Sequence, residues 1–276
     1  MYSDPPTATL VRSSDELLAH IRSGGRAVVA LSGGVDSSLV AALAFAALGA
    51  DAVGVTLVGP AVSSSEVERA TRVAASIGIS HERLPSDPLD RPEYRANGAD
   101  RCYHCRTVET AVLRSFGRRW QAAQYLDGVQ REDLADERPG LRAMDEAGFQ
   151  HPLLWAGWGK AEVRAEARRR GLPNWDQPSD ACLASRVAHG DPVTAELLGR
   201  IESAERVLLD RGFRRVRVRV RAGAARIEVD PTEVSRLLEE PLASEVTQTI
   251  AGLGFAPVTV DPRGYHGALA PLAMAP

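Results

Sequence analysis

No stretch of this 276-residue chain is apolar and uncharged over a length that crosses a bilayer, and no basic, apolar and small-residue series opens it. The expectation is a cytoplasmic protein with no membrane partner. Cysteine is scarce, with three residues in all, an odd number that a disulfide framework cannot use up. Metal or redox chemistry is the reading left for them. Excess positive charge is missing as well: the formal charge is −3 and the sequence pI about 6.1. Without a global basic field, nucleic acid is disfavoured and a small-molecule substrate is the default. There is no internal repeat. Neither G-x-x-x-x-G-K-[ST] nor G-x-G-x-x-G occurs at the loop best suited to phosphate, which disfavours Walker-type and dinucleotide binding there.

What is present is sharper. Ser32-Gly33-Gly34-Val35-Asp36-Ser37 lies between an apolar run, Ala27 to Leu31, and a periodic apolar stretch from Leu39 to Leu48, so it reads as a turn from strand to helix. Gly33 and Gly34 let the backbone approach an anion, Ser32, Ser37 and Ser38 add hydroxyls, and the helix N-terminus favours negative charge. The hexad resembles the pyrophosphate (PP) loop of the N-type ATP pyrophosphatases, which cleave ATP between its α and β phosphates and transfer AMP to a substrate oxygen. That resemblance implies ATP at the loop and gives Asp36 a share in holding magnesium. The bland alternative is an ordinary Gly-rich turn opening an alanine-rich helix.

Strand and helix patterns alternate through the first part of the chain, as in a parallel sheet with crossover helices. Strands are predicted at 27–31, 52–58, 79–84 and 123–127, with helices at 14–22, 36–48, 64–77 and 103–118. The Ser32 loop, the Leu57 to Gly59 end and the Asp127-Gly128 end then share the carboxyl edge of the sheet, where ligands bind. A further helix at 161–170 carries mixed charge and reads as a solvated face. From about residue 192 the pattern changes to helix 194–211, strands 213–221 and 224–230, helices 231–238 and 241–252 and strand 255–260, loosely ferredoxin-like. The fold class is therefore α/β, a parallel sheet with helices on both faces over 1–190, followed by a smaller α+β domain over 191–276.

Cys102-Tyr103-His104-Cys105 and Cys182 are the cysteines. As zinc ligands they need a fourth partner, with His104, His81, His151 or His189 available. As iron–sulfur ligands they are one short of the usual four, which leaves one iron open.

Five segments in order resemble the LarE family over nearly the whole chain: Ser32 to Ser37; Arg101 to Cys105; Asp127-Gly128 with Asp133, Asp136 and Arg138-Pro139-Gly140; Cys182-Leu183-Ala184-Ser185-Arg186; and an Arg-x-Arg strand followed by Arg226-Ile227-Glu228-Val229. The resemblance implies an adenine nucleotide alpha hydrolase-like (PP-loop) fold and an ATP-dependent sulfur transferase of nickel-pincer nucleotide synthesis. Its members adenylate a carboxylate of pyridinium-3,5-biscarboxylic acid mononucleotide and replace the activated oxygen with sulfur. In one kind, a cysteine matching Cys182 gives up its own sulfur and becomes dehydroalanine. In the other, cysteines matching Cys102, Cys105 and Cys182 hold a 4Fe-4S cluster that carries a labile sulfide. The three-cysteine pattern of this chain makes the cluster the expectation, although the sequence names no source of sulfide.

The remaining site residues follow from that resemblance and from local chemistry. Sulfur attacks as an anion, so a cation beside Cys182 is useful, and Arg186 is four residues on. Its bland reading is a surface cation on a loop. Arg217, Arg219 and Arg221 alternate with valines, which puts guanidinium groups on one strand face; the resemblance gives Arg217 and Arg219 to the substrate phosphate, with Glu228 nearby. A solvated strand face would look the same. Asp127 and Glu132 are candidates for ATP or magnesium, among clustered carboxylates that are otherwise simply solvated. Trp155, Trp158 and Trp175 read as packing residues. The second domain is expected to bind substrate and to form homo-oligomers. Two departures from the family pattern are His189-Gly190, where a tyrosine commonly precedes the glycine, and Val129-Gln130 in place of an asparagine. A tRNA thiolation enzyme, an amide ligase and a nucleotide-binding module without catalysis are the competing functions.

Overall fold

The computed structural model describes residues 11–134, 139–178 and 180–266. Asp136 and Arg138 lie outside the described residues. In chain order the elements are α1 (Ser14–Ser23), β1 (Ala27–Ala30), α2 (Val35–Leu48), β2 (Ala52–Val58), α3 (Ser64–Ile77), β3 (Ser80–Pro85), α4 (Pro92–Arg95), α5 (Arg101–Trp120), β4 (Gln124–Leu126), α6 (Pro139–Glu146), α7 (Pro152–Trp155) and α8 (Lys160–Arg169). They continue with α9 (Ala195–Leu209), β5 (Val216–Arg221), β6 (Ala224–Val229), α10 (Val234–Leu237), α11 (Leu242–Gly252) and β7 (Val258–Val260).

By packing, the described residues of 1–59, 64–86 and 102–179 form one unit and those of 60–63, 87–101 and 180–276 a second. Neither is a single stretch of chain. The grouping differs from a cut at residue 190 by placing 60–63, 87–101 and 180–190 in the second unit. There the Ala188 N–H donates to Val220 O at 2.9 Å and Val187 bridges to Val220.

The first unit carries the expected parallel sheet, in the order β3-β2-β1-β4. Side chains of β1 alternate between its faces: Ala27 and Val29 join Leu17, Leu39 and Val163 on one side, and Val28 joins Leu113, Tyr125 and Met144 on the other. Helices cover both faces, so α2 needs no polar stripe, and every residue from Leu39 to Ala44 is buried. Trp155, Trp158 and Trp175 pack in or against this core. The chain leaves β1 toward β2 on one side and returns to β4 on the other. The strand order therefore reverses between β1 and β4, which sets a crevice outside their carboxyl ends.

The second unit holds a three-stranded sheet, β5-β6-β7, antiparallel between β5 and β6 and parallel between β6 and β7. Among the described residues it has no fourth strand, which separates it from a ferredoxin-like arrangement. The helix predicted over 231–238 is a 3-10 turn at Pro231–Glu233, capped by Asp230, followed by α10. The mixed-charge helix α8 is only partly a solvated face, because Val163, Glu166 and Ala167 are buried. Among the described residues no helix is long and apolar enough to cross a membrane.

Candidate functional site

The loop between β1 and α2 stands at the reversal point, and its geometry is held from several sides. Gly33 has φ +80°, and a Cβ there would lie 2.8 Å from Ala70 N, so glycine is required for conformation and for space. Gly34 caps α2. Asn174 Nδ2 donates to Gly33 O and to Ser38 Oγ, both at 2.9 Å, and Arg69 Nε donates to Gly33 O at 3.1 Å. Ser37 and Ser38 donate to Gly34 O at 3.1 and 2.7 Å, while Ser32 Oγ and Ser37 Oγ share a hydrogen bond of 3.0 Å. Both glycine carbonyls are thus tied to the protein, and the turn is braced on its N–H side as well, where Ser32 N donates to Ser37 Oγ at 3.2 Å and Gly34 N to Ser32 Oγ at 3.3 Å. Ser38 is fully buried and acts in this tether, and Ser37 is nearly so. Asn174 carries no spacing signal in the sequence, where it is a lone asparagine between two prolines.

Asp36 faces a cation already in the protein. Lys160 Nζ donates to Oδ1 at 2.9 Å and to Oδ2 at 2.7 Å. Burial pushes the Asp36 carboxyl above its ordinary range, and the Lys160 ammonium pulls against that. Lys160 also holds Glu132, because its main-chain N–H donates to Glu132 Oε2 at 3.0 Å. Two carboxylates proposed from sequence therefore meet at one residue that sequence did not single out. Asp133 accepts from Gln130 N at 3.1 Å and shapes the same loop.

Past β4, Asp127 is buried. Its Oδ1 accepts from Val129 N at 3.0 Å and pairs with His151 Nδ1 at 2.7 Å, and His151 Nε2 pairs with Asp145 Oδ1 at 2.8 Å. Burial works against a charged imidazole here, but hydrogen bonds to Asp127 and Asp145 outweigh it and raise His151 to about 9. The ring is an imidazolium at neutral pH. Asp127 Oδ2 is buried with no partner among the described residues. Gly128 presses against α2, where a Cβ would sit 2.6 Å from Ser37 N, so the β4 exit and the phosphate loop are in backbone contact.

The cysteines divide between the units. Cys102 and Cys105 open α5 in the first, where the Cys105 thiol donates to Glu109 Oε1 at 3.4 Å. Cys182 belongs to the second and precedes a 3-10 turn at Leu183–Arg186. None of the three is in a disulfide. Among the described residues, no group of three or more His, Cys, Asp or Glu is arranged to hold a metal ion. Cys102 and Cys105, the second and fifth residues of α5, are soft donors of the kind that an iron–sulfur cluster takes.

Arg186 is buried, which removes the surface-cation reading. Its Nε and Nη2 donate to the two oxygens of Glu205 at 2.8 and 3.0 Å, and Nη1 donates to Ala181 O and, at 3.0 Å, to Cys182 O. Burial works against its charge, but Glu205 and Asp180 hold its pKa above the ordinary value. The guanidinium grips the main chain on both sides of Cys182. Glu205 in turn accepts from Val218 N at 3.0 Å, tying the cysteine turn to β5.

Strand β5 is not a solvated face either, because Arg217 and Arg219 are both buried. Arg217 Nη2 lies 2.8 Å from Asp180, and Arg219 Nε donates to both oxygens of Glu228, which is fully buried and also paired with Arg226 at 2.9 Å. Burial and the neighbouring Arg186 depress Arg217.

A model of the NAD synthase family matches residues 9–99, which include the phosphate loop. An uncharacterised protein of Synechocystis sp. is 39% identical over 87% of this chain and 90% of its own length. The pyridinium-3,5-bisthiocarboxylic acid mononucleotide synthase of Lactiplantibacillus plantarum is 31% identical over 94% of each chain. A tRNA-specific 2-thiouridylase of Xanthobacter autotrophicus is 34% identical over 65% of this chain and 56% of its own.

Proposed function

The chain belongs to the LarE family of ATP-using enzymes, and from that premise we propose that it adenylates a carboxylate of pyridinium-3,5-biscarboxylic acid mononucleotide and converts it to a thiocarboxylate. The observation that carries the reading is a phosphate loop at the sheet's reversal point, within a chain 31% identical over 94% of its length to a synthase of the bisthiocarboxylate. A carboxylate is a poor acyl donor because oxide is a poor leaving group. Transfer to AMP supplies a good one, so ATP cleavage comes first.

In this reading the N–H groups opening α2 and the hydroxyls of Ser32 and Ser37 receive the phosphates, with Gly33 and Gly34 giving the backbone room. Ser38 holds the loop from behind. Asp36 would hold magnesium, and the ammonium now paired with it marks a carboxylate suited to a cation. Asp127 and Glu132 line the nucleotide's surroundings. In the second unit, Arg217 turns to the substrate phosphate by exchanging Asp180 for it, while Arg219 stays with Glu228 and fixes the strand face. That unit also supplies homo-oligomer contacts. Cys102, Cys105 and Cys182 would hold a 4Fe-4S cluster with one open iron, and the chemistry it supplies is a labile sulfide. Arg186 sets the path of the main chain at Cys182, so that the sulfur-bearing turn has one shape.

The test is anaerobic purification, visible and Mössbauer spectra, and a reaction with ATP and the dicarboxylate mononucleotide. Pyrophosphate, AMP and a product heavier by sulfur in place of oxygen are expected, with an iron–sulfur spectrum lost in Cys102→Ala. Colourless protein whose Cys182 becomes dehydroalanine after one turnover overturns the cluster and leaves Cys182 as sulfur donor. Tight tRNA binding with a steep salt slope would instead favour thiolation of RNA.

A further inference from the structure

Lys160 is the single lysine of a chain with 32 arginines. Its position is unlike that of an ordinary surface cation: both Asp36 oxygens receive its ammonium, and the Glu132 carboxylate receives its main-chain N–H. The backbone is anchored, since Lys160 is the first residue of α8 and the preceding Gly159 O accepts from Val163 N at 3.0 Å. Only the four-carbon stem has freedom. The side chains of Lys160 and Asp36 are 30% and 25% exposed, so the pair is open to an incoming solute.

We infer that Lys160 is the place-holding cation of the phosphate loop, occupying Asp36 until the divalent cation of the nucleotide takes that carboxylate, and then turning to the phosphate chain. The inference rests on the ATP reading above and adds to it a residue and an exchange. The two oxygens of a half-buried carboxylate are already directed at a cation, which is the donor set that a hard divalent ion takes. An arginine would serve less well. Its planar fork locks onto a carboxylate in two parallel bonds, whereas a lysine is a compact charge on a flexible stem that can change partners. The exchange keeps opposite charges paired: magnesium takes Asp36 in place of the ammonium, and the ammonium meets the phosphates that arrive with the metal.

Because there is one lysine, amine acylation reports on it directly, and the α-amino group serves as an internal reference in the peptide map. The intact protein is treated with N-hydroxysuccinimidyl acetate alone and with magnesium plus a non-hydrolysable ATP analogue, whose binding is measured by calorimetry. Magnesium and analogue together are expected to slow acylation of Lys160 by about tenfold, the factor that about 1.4 kcal/mol of new pairing gives, with the α-amino rate unchanged. Lys160→Met, which keeps the stem, is expected to hold its folded fluorescence and to bind the analogue at least about tenfold more weakly. Analogue that binds the parent protein but leaves Lys160 acylation unchanged overturns the exchange, as does parent-like affinity in Lys160→Met. If the parent protein binds no analogue at all, the ATP reading fails and this inference falls with it.

Discussion

His151 between Asp127 and Asp145 provides a stability switch whose size can be worked out. In the folded protein its pKa is raised from 6.5 to about 9. A proton held more tightly by the folded state stabilises it fully below the unfolded pKa, and that contribution is lost as pH rises through the folded value. The window therefore runs from about pH 6.5 to somewhat above 9. At about 1.4 kcal/mol for each pH unit of difference, the contribution is about 3 kcal/mol. With a urea dependence of about 1–3 kcal/mol per M, that is a shift of about 1–3 M in the unfolding midpoint. All four tryptophans, at 120, 155, 158 and 175, lie in the same unit as His151, so tryptophan fluorescence reads its unfolding. The comparison is parent against His151→Gln, at about pH 6 and about pH 10, so that titrations common to both cancel. The parent's advantage should shrink by about 3 kcal/mol between the two pH values. An advantage equal at both would show that the imidazolium is not the species held by the two carboxylates.

Four further outcomes follow from the geometry. Gly33→Ala, forced into a positive φ and against Ala70 N, should lose ATP-analogue binding in calorimetry and about 1–3 kcal/mol of stability in urea melts. Arg186→Met leaves Glu205 buried without its partner and should destabilise the second unit by about 3–5 kcal/mol, read by hydrogen exchange at the Val218 amide, with Arg186→Lys recovering part of it. Cys182→Ser should still release pyrophosphate when given ATP and the dicarboxylate, while mass spectrometry finds no thiocarboxylate. Glu166 works against burial through hydrogen bonds from Arg169, Ser14 and Arg170, which lower its carboxyl to about 2. Its contribution is fully present above the ordinary 4.5 and lost as pH falls toward 2, so acid melts of parent and Glu166→Gln should converge over that range.

The phosphate loop and the parallel sheet were legible because both are local signals: a glycine pair between an apolar strand and a helix, and strand and helix periods in alternation. What escaped was what folding brings together from afar. Lys160 is 124 residues from Asp36, and the two meet through the stacking of α8 on α2, which leaves no trace in spacing. Asn174 reaches Gly33 O from 141 residues away. From the sequence, Arg186 is a cation four residues from a thiol. Glu205, nineteen residues on, gives it a buried counter-charge and changes it into a clamp on the main chain. On β5 the alternation is legible in the sequence but its environment is not, because arginines facing water and arginines facing Asp180 and Glu228 give the same pattern. The helix over 231–238 fails for a local reason: Asp230 caps a 3-10 turn that Pro231 opens, and the α-turn that follows is short.

Asn97, fully buried with φ 57°, sends its amide to the carbonyls of Ala188 and Asp191 and accepts from Arg101, which also reaches Ala184 O. The turn that carries Cys182 is thus pinned by a segment encoded some ninety residues earlier, between strands of the other unit. For inheritance this means that the two units cannot be exchanged by a single crossover in the gene. A recombinant that takes its C-terminal part from another lineage would keep these bonds wherever the turn follows the same main-chain path, because Asn97 and Arg101 reach backbone carbonyls, so position 97 constrains the shape of the cysteine turn more than its side chains.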